Sequence, residues 1–436
     1  MRILTKNRKS KIENAVCKAA HASLRFGING QVGVCCHNHV DIVGNIKDSK
    51  IEDIWNGEKI KKLRKTLLKA YSPHCTHCMA EDKIKSNAKS SSLYNRYPVS
   101  DDAPAILDFK IDNICNLKCT MCSHLSSNQF RQIGEKRENP YYNSIFFEDL
   151  KLWLPKIKEA RFSGGEPFLT PLYFKIWDFF IEKNPHCKIQ IQTNGTILSE
   201  KVKEILQKGV FGINISIDSF DKENYEKIRE GSSFEAMLLN LDFFRNYTSQ
   251  KSSFFGITTC AMKANRNELV EIAKEWSKLG ANGWFSVVWN PAKEALWSLE
   301  SDEFKLFYNK LYSDFELYKN NISTQNIEAL KALMQVVEYM KQLNEIYNNP
   351  QKESYGYEFK RLVFSKIDKP QQNPNSANFE DLANLYFLKN NNSKFNIELF
   401  EKTSNFTSDE IFTDFIQNCD IDELSILLDT YKIPKK

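Results

Sequence analysis

Strand-like segments of alternating apolar and polar residues, separated by helix-like segments, constrain the fold of this chain most strongly. Six such segments lie between residues 105 and 291: AILDFKI, EARFS, KIQIQT, GINISIDS, FFGITT and WFSVVW. Strands that alternate with helices favour βαβ units and a parallel sheet. Parallel strands covered on both faces are usually apolar throughout, whereas the fourth segment alternates isoleucine with Asn214, Ser216 and Asp218. We therefore expect a curled sheet with a polar lumen; an antiparallel sheet with one face in water is the alternative.

Three cysteines follow the first of these segments with the spacing C-x3-C-x2-C: Cys115, Cys119 and Cys122. Thiolates are soft ligands that suit iron–sulfur clusters and zinc. A 4Fe–4S cluster takes four cysteines, so three cysteines leave one iron without a protein ligand. An open coordination position distinguishes a reactive metal site from a structural one. A zinc knuckle completed by His124, or plain buried thiols, are the alternatives.

A second set of cysteines lies near the N-terminus: Cys17, Cys35, Cys36, Cys75 and Cys78. Between them, residues 51–67 have helical periodicity, which predicts a spacer that brings distant cysteines together. Eleven cysteines without an apparent export signal favour metal binding in a reducing cytosol over disulfides. Because C-x2-C pairs also bind zinc, a zinc ribbon is the alternative, with four histidines nearby: His37, His39, His74 and His77.

Length and charge limit the class of protein. A chain of 436 residues predicts two or three domains. The net charge of +5, from 60 basic and 55 acidic residues, is too balanced to indicate a nucleic-acid partner. No apolar run approaches the roughly 18 residues of a membrane helix, and the N-terminus lacks the apolar stretch of a signal peptide. The composition therefore predicts a cytoplasmic protein without a membrane partner.

The predicted organisation has four parts. A cysteine-rich module over 1–83 precedes a Ser- and Lys-rich linker over 84–104. The α/β core covers 105–297, and a mostly helical region covers 298–436, with ALKALMQVVEYMKQL as its clearest amphipathic run. The isolated cysteines Cys187, Cys260 and Cys419 are expected to be ordinary buried thiols.

The segment CNLKCTMC resembles the signature of the radical S-adenosylmethionine (radical SAM) enzymes. The resemblance implies an incomplete (β/α)6 barrel and a 4Fe–4S cluster on Cys115, Cys119 and Cys122, with SAM on the open iron. In that family the reduced cluster cleaves SAM to methionine and a 5′-deoxyadenosyl radical, which abstracts a substrate hydrogen atom. Met121 takes the position before the last cysteine, where the family packs a bulky apolar side chain near the adenine.

Gly164-Gly165-Glu166 and the following proline resemble the family's GGEP motif, whose backbone and carboxylate bind the SAM amino group. Two glycines at the end of a strand permit close approach of the backbone to a ligand. Thr193-Asn194 and the following glycine match the family's TNG turn near SAM, and Asn-Gly turn chemistry accounts for the same residues.

On the fourth strand, Ser216 and Asp218 resemble the polar positions that contact the SAM ribose and methionine portion. Arg229, in YEKIREGSSF, resembles an arginine that binds the SAM carboxylate, which a guanidinium suits through paired hydrogen bonds. A solvent-facing helix arginine is the alternative. Asn265 and Asn290 are candidates for the substrate end, or for helix-cap and turn positions.

The N-terminal cysteines resemble the SPASM or twitch extension of radical SAM enzymes, which binds an auxiliary 4Fe–4S cluster. The resemblance assigns Cys17, Cys35, Cys75 and Cys78 as ligands, with Cys36 as the alternative. In most of the family this extension follows the barrel, whereas here it precedes the barrel.

The resemblance implies an enzyme that abstracts hydrogen from a substrate C–H bond to modify a peptide or protein oxidatively. Dehydrogenation or rearrangement of a sugar-like small molecule is the alternative. A flavodoxin- or ferredoxin-type protein is implied as electron donor. A non-catalytic zinc or iron–sulfur scaffold is the alternative from a different class. An RNA-modifying enzyme is disfavoured, because no basic appendage interleaved with aromatic residues is present.

Overall fold

The computed structural model describes residues 12, 14–38, 40–83, 90–97, 102–122, 127, 129, 140–289 and 291–348. The chain forms two compact units, one from Met1–Val288 and Phe307–Val336, the other from Trp289–Leu306 and Val337–Lys436. Every helix among the described residues falls short of the length and apolar character that a bilayer crossing requires. Four residues singled out above lie outside the described residues: His39, His124, Asn290 and Cys419.

A single nine-stranded sheet organises the larger unit. The strands of the chain are β1 (Ser23–Phe26), β2 (Gln31–Gly33), β3 (Gly44–Asn45), β4 (Ile106–Phe109), β5 (Lys118–Cys119), β6 (Glu159–Phe162), β7 (Lys188–Thr193), β8 (Phe211–Ser216), β9 (Arg229–Glu230), β10 (Phe255–Ala261) and β11 (Asn282–Val287). The sheet order is β11-β10-β8-β7-β6-β4-β1-β2-β3, and β5 pairs with β9 separately. Six neighbouring strands of this sheet run parallel: β4, β6, β7, β8, β10 and β11. They coincide with the six predicted segments and confirm the α/β fold.

The described helices are α1 (Ala19–Ala22), α2 (Ile51–Trp55), α3 (Glu58–Leu67), α4 (Thr76–Lys83), α5 (Ser144–Trp153), α6 (Pro171–Lys183), α7 (Glu200–Lys208), α8 (Lys222–Ile228), α9 (Phe234–Gln250), α10 (Leu269–Leu279), α11 (Ser301–Tyr318) and α12 (Thr324–Asn348). Helices α5 to α10 lie in the connections between the parallel strands β4 to β11, whereas α11 and α12 follow the last strand. Side-chain oxygens of Asn143, Ser199 and Ser233 cap the first turns of α5, α7 and α9. Gly280, in the left-handed region, ends α10. The predicted amphipathic run forms part of α12.

The two faces of the parallel strands differ as the alternation predicts. Along β7, Ile189 and Ile191 are buried while Gln190 and Gln192 are half-buried, and β8 and β10 show the same alternation. Side chains alternate between faces along a strand, so the apolar face packs under the helices. The half-buried polar face is the lumen.

The N-terminal module extends this sheet, which the sequence did not predict. Strand β1 pairs in parallel with β4 and antiparallel with β2. On the apolar face, the Phe26, Phe109 and Phe162 rings stack across β1, β4 and β6 with centroid separations of 5.3 and 4.8 Å. Aromatic burial of this kind joins the module to the barrel through a shared core.

The described part of the predicted linker is ordered rather than extended. Ser90–Tyr94 forms a 3-10 helix, and the Tyr94 side chain is buried. The Tyr97 hydroxyl donates to Glu159 Oε2, which lies on β6, at 3.0 Å. This segment therefore packs against β6 rather than extending into solvent.

Candidate functional site

The three cysteines of the C-x3-C-x2-C motif come together in the structure. Cys119 lies on β5, directly opposite Arg229 of β9. The Cys119 and Cys122 thiols share a hydrogen bond, which lowers the pKa of Cys122. Cys115 is close enough to interact electrostatically with both. Two N–H groups face the Cys115 sulfur, from the Leu117 backbone at 3.5 Å and from Asn194 Nδ2 at 3.9 Å.

The glycine turn after β6 packs against the segment that leads into the cysteines. Gly164 and Gly165 have φ angles of +92° and +54°, which side chains disfavour. A Cβ on Gly165 would lie 2.0 Å from the Ile114 carbonyl oxygen, and a Cβ on Gly164 would lie 2.5 Å from that of Asp112. The space between turn and cysteine loop thus admits only glycine.

The Glu166 carboxylate joins this turn to the turn after β7. Its Oε1 accepts hydrogen bonds from Phe168 N at 3.0 Å and Thr193 Oγ1 at 2.8 Å, and Oε2 accepts from Asn194 N at 2.7 Å. The side chain is fully buried, and burial raises its pKa to about 7. Its predicted contact with the SAM amino group stays a prediction, because these bonds hold the protein's own turns together.

Asn194 extends this network to the cysteine loop. Its Nδ2 donates to Asn116 Oδ1 at 2.9 Å, and Asn116 Nδ2 donates to Thr196 Oγ1 at 2.9 Å. Thr196 in turn donates through its backbone N to Asn194 Oδ1 at 2.9 Å. The sequence signalled Asn194 through the TNG motif, whereas Asn116 and Thr196 are ordinary turn residues with no local signal.

Asp218 and Arg229 form a buried ion pair behind Cys119. Arg229 Nη2 lies 2.7 Å from Asp218 Oδ2, and the two side chains are 5% and 0% exposed. Asp218 Oδ1 also accepts from Cys260 N at 2.7 Å. The sequence placed both residues separately against SAM, but the structure pairs them with each other, and their roles toward SAM stay predictions. The solvent-facing alternative for Arg229 is wrong.

Polar side chains of neighbouring strands bond to each other across the lumen face. Ser216 Oγ accepts from Gln192 Nε2 at 2.7 Å, and Gln192 Oε1 accepts from Asn214 Nδ2 at 2.7 Å. Asn214 Nδ2 also donates to Thr258 Oγ1 at 2.8 Å. Such a ladder fixes the lumen-facing side chains, including the predicted SAM contact Ser216.

Met121 and Cys260 lie beside an apolar cluster at the same end of the barrel. Met121 is half-buried and packs, together with Cys260, against the cluster formed by Ile228, Met262 and Val288. Cys260 also interacts electrostatically with Cys119 and Cys122. Cys260 is therefore half-buried near the three-cysteine site, and its expected role as an ordinary thiol stays a prediction.

Tyr173 of α6 is a positioning residue that the sequence did not reveal. Its hydroxyl accepts from Ile111 N at 3.1 Å and lies 2.7 Å from the Ser163 carbonyl oxygen. It thereby fixes the residues that follow β4 and β6, which carry the cysteine loop and the glycine turn. A single tyrosine in an amphipathic helix gives no local signal of such a contact.

Four of the N-terminal cysteines group together: Cys17, Cys35, Cys75 and Cys78. N–H groups face three of their sulfurs. Ala19 N lies 3.5 Å from Cys17, Asn38 N lies 3.2 Å from Cys35, and Asn38 Nδ2 lies 3.6 Å from Cys75. Hydrogen bonds to sulfur stabilise thiolates and tune iron–sulfur clusters.

Cys36 has different neighbours from Cys35. Its backbone N donates to the Tyr94 hydroxyl at 3.2 Å, and the same hydroxyl donates to its sulfur at 3.7 Å. Its thiol interacts electrostatically with the lumen residues Asp108, Arg25 and Arg161. The geometry thus favours Cys35 over Cys36 as the fourth ligand.

The nearby histidines contact carboxylates or each other. His74 Nδ1 lies 2.7 Å from Asp41 Oδ1, and His77 Nε2 lies 3.1 Å from Glu81 Oε1. His37 stacks on His77 at 4.0 Å. Within the described ranges, no three His, Cys, Asp or Glu side chains converge as ligands of one metal ion do. A sulfur-only donor set with N–H groups facing the sulfurs fits a 4Fe–4S cluster.

Removing Cys35 and removing Cys36 should have different consequences for iron binding. We expect Cys35→Ala to lose about four of about eight iron atoms per chain, because each 4Fe–4S cluster takes four cysteines. Cys36→Ala should retain them. Iron analysis and electron paramagnetic resonance of oxygen-free protein measure this difference. Loss of iron from Cys36→Ala, with iron retained in Cys35→Ala, would reverse the ligand assignment.

Comparison with known families agrees with these two cysteine sites. Residues 110–275 match the radical SAM superfamily, and residues 17–79 match the SPASM iron–sulfur cluster-binding domain. The chain contains a radical SAM domain preceded by a SPASM domain. Its cofactors are accordingly 4Fe–4S clusters and SAM, as predicted. Because the SPASM domain binds an iron–sulfur cluster, the match excludes the zinc-ribbon alternative.

Relatives of this protein match part of its length. An uncharacterised protein of Methanocaldococcus jannaschii is 27% identical over 223 residues, which are 50% of this chain and 74% of the relative. A probable GTP 3′,8-cyclase of Methanococcus maripaludis is 29% identical over 170 residues, 38% of this chain and 53% of the cyclase. The alignment thus spans about half the length of that cyclase.

Two solved structures align with parts of this chain. The structure of anSMEcpe with bound AdoMet aligns with a TM-score of 0.38 and 20% identity, over 50% of this chain and 63% of that one. Streptococcus suis SuiB bound to precursor peptide SuiA aligns with a TM-score of 0.37 and 14% identity, over 62% of this chain and 53% of SuiB.

Proposed function

We propose that this radical SAM enzyme abstracts a hydrogen atom from a C–H bond of a peptide or protein and thereby modifies it oxidatively. The observation that supports the proposal is the packing of the Gly164–Gly165 turn against the loop of Cys115, Cys119 and Cys122. This packing sets the residues of the predicted SAM motifs beside the three-cysteine site. Cys115, Cys119 and Cys122 would hold a 4Fe–4S cluster, which when bound and reduced would supply the electron for the cleavage of SAM.

The chain's own residues position the reactants. The bonds of Glu166 and Asn194 hold the two SAM-motif turns at fixed positions relative to Cys115. The lumen ladder of Gln192, Ser216 and Asn214 presents preorganised polar groups to a ligand. Preorganisation of this kind places the C–H bond against the radical and excludes competing reactions with water.

The SPASM module supports oxidation as the net reaction. Its strand β1 pairs with barrel strand β4, so the module is built into the same sheet as the barrel. A cluster held by Cys17, Cys35, Cys75 and Cys78 would accept an electron from the product radical. We propose a flavodoxin- or ferredoxin-type protein as the reductant. The resemblance to SPASM-bearing enzymes, which mostly act on peptides or proteins, supports the substrate class.

A second candidate function is the conversion of a small molecule such as a nucleotide. The observation that favours it is the similarity to a cyclase of GTP, which covers 38% of this chain. A sugar-like substrate belongs to the same class of alternatives.

Anaerobic reconstitution tests the proposed reaction. We expect about eight iron atoms per chain, as two 4Fe–4S clusters require, and formation of 5′-deoxyadenosine from SAM with dithionite. Cys119→Ala should abolish this product, while Cys187→Ala, which alters a buried thiol in the turn before β7, should retain it. Persistence of 5′-deoxyadenosine in Cys119→Ala would refute the cluster assignment.

A further inference from the structure

Two adjacent cysteines of the SPASM module have the same chemistry but different surroundings. Cys35 and Cys36 are neighbours in sequence, and the thiolate of either one suits an iron–sulfur cluster. Asn38 joins Cys35 to Cys75, since Asn38 N lies 3.2 Å from the Cys35 sulfur and Asn38 Nδ2 lies 3.6 Å from the Cys75 sulfur. The Cys36 thiol instead interacts electrostatically with Asp108 of β4. A contact of the chain must therefore hold the pair in this orientation.

The Tyr94 hydroxyl bonds to both the backbone and the side chain of Cys36. It accepts from Cys36 N at 3.2 Å and donates to the Cys36 sulfur at 3.7 Å. The Tyr94 side chain is buried, so water does not compete for these bonds. Two hydrogen bonds of ordinary net strength shift an equilibrium between two orientations by roughly ten- to hundredfold. The hydroxyl therefore holds the Cys36 thiol in its observed direction.

Tyr94 is itself held in place from two sides. It ends the 3-10 helix Ser90–Tyr94, and Ser90 donates to Glu81 twice, through N to Oε2 at 2.9 Å and through Oγ to Oε1 at 2.6 Å. Glu81 lies on α4, the helix that also carries Cys78. The guanidinium carbon of Arg161 lies 5.7 Å from the centroid of the Tyr94 ring. The hydroxyl is therefore fixed relative to the cysteines of the module.

We propose that Tyr94 is a positioning residue that selects Cys35 over Cys36 as a ligand of the auxiliary cluster. By holding Cys36 in another direction, its hydroxyl leaves the Cys35 sulfur to complete the group with the other three cysteines. Without the hydroxyl, the segment can turn so that either sulfur completes the cluster. The inference concerns how the cluster is held, and it does not depend on which substrate the protein takes.

Iron analysis and electron paramagnetic resonance of the reconstituted, oxygen-free full-length chain test the proposal. Tyr94→Phe keeps the ring and removes only the hydroxyl, so both clusters should form. The auxiliary cluster should then give two signals, one for each ligand. Adding Cys36→Ala to Tyr94→Phe should restore the single wild-type signal. Adding Cys35→Ala to Tyr94→Phe should regain about half of the iron that Cys35→Ala alone loses, because Cys36 then completes the cluster.

Tyr97→Phe is the matched control, because it removes a hydroxyl of the same segment that donates to Glu159 of the barrel. It should leave one auxiliary signal, and it should regain no iron when it is combined with Cys35→Ala. A single unchanged signal in Tyr94→Phe would overturn the proposal, and so would equal iron contents of Cys35→Ala with and without Tyr94→Phe. Formation of 5′-deoxyadenosine, measured in each variant, tests the proposed function separately because it depends on the other cluster.

Discussion

Gly165→Ala is expected to abolish the SAM-binding cluster and the formation of 5′-deoxyadenosine. The new Cβ would lie 2.0 Å from the Ile114 carbonyl oxygen and 2.6 Å from the Asn113 carbonyl carbon. Both are backbone atoms, which cannot move aside as the end of a flexible side chain could. The loop that leads to Cys115 must therefore shift. We expect a loss of about 3 kcal/mol or more in the free energy of unfolding, measured by urea denaturation under anaerobic conditions. The iron content should fall by about four atoms per chain.

Gly280→Ala is the matched control. Gly280 also has a positive φ, of +68°, but a Cβ there meets no atom within 4 Å. Gly280→Ala should lower the free energy of unfolding by only about 1 kcal/mol, through backbone strain. It should leave the iron content unchanged. Comparable losses in the two variants would show that φ strain, and not the contact with the cysteine loop, accounts for the need for glycine at position 165.

Arg229→Met is expected to destabilise the protein by about 3 to 5 kcal/mol, because it leaves the Asp218 carboxylate buried without its cation. Burial already raises the pKa of Asp218, and Arg229 opposes that shift. In the variant, the folded-state pKa of Asp218 therefore lies further above its unfolded value. The destabilisation should then be largest at high pH and shrink as the pH falls and Asp218 takes up a proton. Urea denaturation at pH 8 and pH 6 measures the difference.

The double variant Asp218→Asn with Arg229→Met controls for the lost charge. It removes the buried carboxylate, so it should regain part of the stability that Arg229→Met loses. The pH dependence of the destabilisation seen in Arg229→Met should disappear. A loss that is the same at both pH values would show that packing around the guanidinium, and not the charge of Asp218, dominates at this position.

The sequence predicted the parts of the site that depend on local patterns. The spacing of Cys115, Cys119 and Cys122, the glycine pair and the strand alternation are all encoded within a few residues. The Arg229–Asp218 ion pair was missed, because Asp218 follows β8 and Arg229 follows α8, and only the path of the chain through that helix brings the two side chains together. Each residue alone matched a SAM-binding motif position, which concealed their contact with each other.

The lumen charges show the same limit. Alternation along β4 and β6 places Lys110 and Arg161 on the polar face, so their exposure to the lumen follows from the sequence. Their proximity to Arg25 does not follow, because it depends on the addition of β1 beside β4. No sequence signal indicates that a module ahead of the barrel adds a parallel strand to it.

That added strand ties the barrel to the module that supplies it. Excising the module would strip β4 of one hydrogen-bonded neighbour and uncover Phe109, whose ring stacks on Phe26. A bare strand with an apolar side is a template for pairing with other molecules. A truncated barrel would thus be prone to aggregate, and neither cluster site can be studied as a free-standing fragment.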